Sequence, residues 1–256
     1  LKNYFFTPLI LITFILIACD PSYNSDPKSV INDKKNKKIK ILIDNLTSKN
    51  DNIKHIFNII NTHKDDKWVE DSDQFNMQGT NQLFDVTTTD DNIKYKNNKL
   101  ARREVYLAFE YHTNSIKEFG KIANKLAEGA IKASNTEIQY LKQVINQVRQ
   151  YARNYFLVTF TLLMNKQNKL TSLSLSTLKK LTNKFKILDN TKQEIKNAMN
   201  KIKDDFNNDH NKIKTGEIAN LIKYLTIDNK YHEQFQKAAI KINYICEDIK
   251  SILDKK

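Results

Sequence analysis

Apolar residues recur along most of this chain at steps of three and four, the spacing of helices with one buried face. Ile39, Leu42, Ile43, Leu46, Ile53, Ile56, Phe57 and Ile60 predict a first helix over about 39–63, with the polar run Thr47 to Asn52 as a candidate interruption. Lys99 to Tyr111, carrying Leu100, Val105, Leu107, Ala108 and Tyr111, predicts a second. Ser115-Ile116-Lys117-Glu118 and Ser134-Asn135-Thr136-Glu137 have the form of capping boxes, which satisfy the free N–H groups of a first helical turn. They predict helices running to about 133 and about 166. In the latter, Ile138, Leu141, Ile145, Val148, Ala152, Tyr155, Phe156, Thr159 and Leu163 keep the 3.6-residue period. Tyr155 to Met164 is apolar nearly all round, which places this helix in the middle of the fold.

Further on, Thr191-Lys192-Gln193-Glu194 either opens a helix or marks a turn within a longer one starting near 175. Ile195, Met199, Ile202 and Phe206 form one stripe, and Ile218, Leu221, Ile222 and Leu225 another. Near the end, Phe235, Ala239, Ile242, Cys246, Ile249 and Leu253 recur at helical steps. Such a stripe serves equally as a seam for a second subunit or as the inner face of an intramolecular bundle. Residues 64–91 break the rhythm. They are acidic, with Asp65, Asp66, Glu70, Asp71, Asp73, Asp85, Asp90 and Asp91, and Trp68, Phe75, Met77, Leu83 and Phe84 fall without helical spacing. Two readings stay open: a partner-binding loop presenting Trp68, Phe75 and Phe84, or a surface wrap whose aromatics pack on the helices beneath.

Turn chemistry supports helices. The three prolines stand at positions 8, 21 and 27, and the four glycines at 79, 120, 129 and 216. A sheet-rich chain would spend many more of both on tight turns. The expected fold is all-α, a single bundle of about five to seven helices over residues 38–256.

The first residues have a different character. Lys2 precedes an apolar run from Leu9 to Ile17, and Leu16-Ile17-Ala18-Cys19 closes it with a small residue and a cysteine. This layout predicts a signal peptide over 1–18. From Phe5 to Cys19 a helix would reach about 22 Å, short of a bilayer core of about 30 Å. Residues 19–37, with Pro21, Pro27 and few apolar groups, predict a flexible tether. The ending resembles the lipobox of bacterial lipoproteins, which implies cleavage between Ala18 and Cys19 and lipid on Cys19. That leaves Cys246 without a partner in the chain, so stability must come from packing rather than disulfides.

The chain has a net charge of +13. Its lysines are dispersed and no nucleic-acid motif is present, so two readings stay open: a plain solvated lysine surface, or a contact with acidic glycoproteins, glycans or anionic membrane. Candidate chemistry is sparse. His55, His63, His112, His210 and His232 stand in unrelated contexts, and no zinc, P-loop, dinucleotide or nucleophile-elbow motif occurs. Asp65/Asp66 and Asp204/Asp205 are adjacent acids on polar segments. No catalytic residue, metal site or cofactor is expected.

Asp73-Gln74-Phe75-Asn76-Met77, then Arg102-Arg103-Glu104-Val105-Tyr106 with Tyr111, Ile116 and Phe119-Gly120, follow the lipobox and tether. Together they resemble the Lyme-spirochaete outer-surface lipoproteins related to the complement regulator-acquiring surface protein. Asn76 stands where that family has Gly, and Gln78 where it has Lys. The resemblance implies a helical bundle whose C-terminal helix can reach across a homodimer, lipid-anchored on the bacterial outer membrane and exposed at the surface. It also implies a host serum partner: a complement regulator such as factor H, a late complement component or plasminogen. A structural or colonisation lipoprotein binding glycans is the alternative.

Overall fold

A computed structural model describes residues 27–132 and 135–254. The signal peptide, Ala18, Cys19 and Ser134 with its capping box lie outside the described residues. Nine α-helical segments follow one another, with no strand among the described residues. The all-α expectation is met.

Helix α1 (Pro27–Asn45) and helix α2 (Asp51–Lys64) are separated where the polar run Thr47–Asn52 suggested. Asn50 opens α2 by accepting from the Asn52 N–H at 3.0 Å. Helix α1 starts inside the stretch expected to be a tether. Adding turns to an existing helix costs far less than starting one, so the turn nucleated at Ile39–Ile43 extends back through solvated Lys34, Lys35, Lys37 and Lys38.

Helix α3 (Lys99–Ala108) is capped by Asn98, which accepts from the Ala101 N–H at 3.0 Å. It stops three residues short of Tyr111, because Glu110 and Tyr111 adopt left-handed backbone conformations and reverse the chain. Helix α4 (Thr113–Lys132) begins earlier than the Ser115 box predicts. His112 caps it instead: its Nδ1 accepts from the Ser115 N–H at 3.4 Å. Ser115 therefore sits within the first turn.

Helix α5 (Asn135–Ala152) runs through a π-helical stretch, Arg153–Phe160, into helix α6 (Thr161–Asn165). Helix α7 (Leu175–Asn207) is capped by Ser174. Thr191 lies buried in its middle and donates to the Ile187 carbonyl at 2.9 Å, so it caps nothing. Helix α8 (Ile218–Lys223), continued by a π turn, and helix α9 (Tyr231–Asp254) complete the chain. The count exceeds five to seven because a π stretch divides one rod and α8 is little more than a turn.

Helix α9 lies along α7 and α5, and α4 packs on α5. Two apolar cores result. One gathers Phe84, Tyr106, Ile116, Leu126, Leu141 and Tyr224. The other gathers Ile56, Ile60, Phe156, Leu181, Ile242 and Ile249. Each such side chain contributes about 1.5–3 kcal/mol on full burial. Within this chain, the stripe read as a subunit seam is an inner face: Ile242, Cys246, Ile249 and Leu253 are all buried. Phe235 and Ala239 are half-buried. Spacing identifies a buried face, but not whose residues bury it.

Candidate functional site

The acidic segment leaves α2 at Asp65 and returns to α3 at Asn98, crossing α3 and α4 as a strap. Three of its carboxylates are tied down. Glu70 receives Arg102 through Nε at 2.7 Å and Nη2 at 2.6 Å, and Tyr106 donates its hydroxyl at 2.6 Å. Burial pushes the Glu70 carboxyl up, but the Arg102 and Tyr106 hydrogen bonds outweigh it, and the net shift is downward. Arg102 also donates Nη1 to the carbonyls of Tyr95 and Lys96 at 2.8 and 2.7 Å. Asp85 is held by Lys94 and Lys96 at 2.8 and 2.7 Å, which push it down to about 2. Asp90 takes Arg149 at 2.8 Å and Arg153 at 3.1 Å. Both arginines also reach Glu104 on α3, at 2.7 and 2.5 Å.

Arg103 fastens the start of the strap. It donates to the Thr62 and Asp65 carbonyls at 2.6 and 2.9 Å, with its guanidinium 5.6 Å from the Trp68 ring. Trp68 meets Tyr111 edge-on at 4.8 Å, and the Tyr111 hydroxyl lies 2.8 Å from His63 Nδ1. Burial, helped by the Arg103 charge, pushes His63 down to about 4.

Of the three aromatics read as a partner loop, Phe75 and Phe84 are buried around Tyr106, with ring centroids at 4.9 and 6.0 Å, and Trp68 is half-buried. They pack on the helices beneath, as the second reading had it. Gln74, Phe75 and Asn76 all have positive φ. The turn thus needs the left-handed conformation where the resembled family has Gly, and Asn is among the side chains that tolerate it best. The strap's outward apolar groups are different ones. Val69 is 85% exposed and Ile93 45%, while Leu100, just beyond the strap on α3, is 76% exposed. No spacing rule singles these out.

A cleft between α4, α5, α7 and α9 is the second feature, and periodicity could not reveal it. Its lining residues, from Ala108 to Ala239, come from five helices and the turn between α3 and α4, and share no local motif. Elsewhere, Cys246 sits against Thr159 and the Asn154 carbonyl, and burial pushes its thiol up to about 11, the mark of an inert side chain. Among the described residues, no group of side chains is placed to hold a metal ion, and no helix is long and apolar enough to cross a membrane.

The helical fold has known counterparts. A family model described as Borrelia Bbcrasp-1 domain containing protein matches residues 64–254, the strap through the end of α9. The chain belongs to this family. Solved structures share the fold of this Bbcrasp-1 domain protein at low identity. The outer surface lipoprotein BBA64 of Borrelia burgdorferi aligns with a TM-score of 0.59 and 17% identity, covering 90% of this chain and 100% of that one. The Borrelia burgdorferi outer surface protein BBA65 aligns at 0.63 and 17%, covering 80% and 98%. BSE31 from Borrelia spielmanii aligns at 0.54 and 19%, covering 85% and 96%. No curated protein sequence matches the chain.

Proposed function

We propose that this chain is a lipid-anchored outer-surface protein of a spirochaete that captures a host serum protein, a complement component or regulator or plasminogen. Family membership over residues 64–254 carries the reading, and the names of the structurally similar proteins supply the surface location. The strap supplies the docking surface. Val69 and Leu100 project from backbone clamped by Glu70–Arg102 and by Arg103, so little ordering entropy is lost on binding.

Full-length chain incubated with serum should retain a protein that withstands high salt and is lost on joint Val69→Ser and Leu100→Ser substitution. Capture that ignores the double substitution, or no capture, would sink the reading. The exposed lysines of α1 favour the alternative, a glycan partner. That contact would elute from a heparin column at moderate salt, since exposed charges are screened within about 8–10 Å.

A further inference from the structure

The cleft between α4, α5, α7 and α9 has a volume of about 520 Å³, within the range of small-molecule sites. Its walls are apolar: Phe119 and Ile122 from α4, Val148 from α5, Ile195 and Met199 from α7, and Phe235 from α9. A separate small cavity of about 50 Å³ lies behind Phe119, Ile122, Met199 and Phe235, between Leu126, Ile202 and Leu225.

Charge along its border is one-sided. Lys192, Lys196 and Lys203 of α7 all line the cleft, on one face of the helix by their spacing. From Lys192 to Lys203 that face runs about 16 Å. The acids of the lining, Glu110 and Glu118, are already engaged. Glu110 pairs with buried Lys192 and with His55, and Glu118 accepts from Lys121 at 2.6 Å and Asn207 at 3.0 Å. Lys203 meets only its neighbour Asp204, at 3.6 Å. Lys196 is exposed and has no acidic partner among the described residues. Apolar walls with one unneutralised cation on the rim complement a ligand with an alkyl body and a single negative charge.

We propose that this cleft binds one single-chain fatty acid, its alkyl chain between Phe119, Met199 and Phe235 and its carboxylate on Lys196. A recess walled by four helices admits one chain rather than the face of a bilayer. The site is independent of the strap and of any serum partner.

Equilibrium dialysis of the full-length chain against labelled dodecanoate, below its micellar concentration, tests this. Saturable binding at one molecule per chain is expected. Dodecanol and dodecyltrimethylammonium should bind about tenfold more weakly or not at all, the worth of one charge-assisted hydrogen bond. Lys196→Glu should weaken dodecanoate binding by about tenfold or more, while Lys196→Arg retains it. Lys179→Glu, the same charge change at an exposed α7 position outside the cleft, should leave it unchanged. Met199→Trp should fill the cleft and abolish binding; if circular dichroism shows that variant unfolded, the Lys196 pair decides alone. No saturable binding, equal affinity for the cationic amphiphile, or equal losses from Lys196→Glu and Lys179→Glu would each overturn the proposal. So would binding only to phosphatidylglycerol vesicles, which would indicate a membrane surface contact.

Discussion

Glu70 does more for the strap than its position in an irregular, acidic segment suggests. Its carboxylate is the only acidic partner of Arg102 among the described residues, and that side chain is 7% exposed. Replacing the acid by an amide takes the counter-charge from a nearly buried guanidinium and sets an N–H donor against Arg102 Nη2, and breaking such a pair costs about 3–5 kcal/mol. Glu70→Gln should therefore lower the melting temperature sharply in thermal denaturation. A loss within about 0.5 kcal/mol, typical of surface changes, would show that the clamp is unimportant. His63 adds a pH dependence. Its folded pKa of about 4 lies below the ordinary 6.5, so the unfolded chain takes up the proton first. The contribution of neutral His63 is complete above pH 6.5, declines as pH falls through that value, and is gone by about 4. Melting temperature measured from pH 7.5 to 4 should fall across this window, and His63→Gln should flatten part of the slope. Parallel profiles for the two proteins would remove His63 from the account. The Glu70–Arg102 pair was not legible in sequence, because 32 residues separate the partners and ion pairing leaves no periodic trace. Arg102, Arg103 and Tyr106 stood out only through family resemblance.

At the level of elements, the 3.6-residue period located nearly every long helix but not its neighbours. Helix α9 shows why. Ile242, Cys246, Ile249 and Leu253 announce a buried face whether the covering surface is α7 and α5 of the same chain or a second molecule. With that face filled from within, Ile242→Asp should place an unpaired charge in the core and unfold the domain rather than divide a dimer. Tyr244, on the opposite side and 70% exposed, should accept Asp with full helicity. Circular dichroism and sedimentation of both variants test this. A helical Ile242→Asp protein of reduced size would restore the subunit-seam reading. Helix starts were less legible than helix bodies. Ser115 fits a capping box by residue type, yet left-handed Glu110 and Tyr111 deliver His112 to the cap position first. A turn's backbone conformation overrides a local propensity worth about 1 kcal/mol.

Across the whole molecule, the two cores are joined rather than separate. Helix α5 gives Leu141 and Ile145 to one and Tyr151 and Ala152 to the other, and α7 gives Ile202 and Phe206 to the first and Leu181 and Leu188 to the second. A rod embedded in both cannot stay helical in one while the other melts without exposing its own apolar face to water. Unfolding should therefore be a single cooperative transition. Trp68, the only tryptophan, offers a local probe because it belongs to the strap and packs on Tyr106 and Tyr111. In urea, its fluorescence and the helical circular dichroism signal should give coincident curves with one midpoint. Fluorescence that changes well before helicity would mean the strap opens on its own, despite Arg102, Arg103 and Arg149. That outcome would also turn the proposed docking surface from a rigid platform into a segment that orders on binding, and the same measurement with Glu70→Gln distinguishes the two cases. If the strap is bolted to the bundle, the variant's two curves shift together to lower urea; if it is a separate unit, only the fluorescence curve moves.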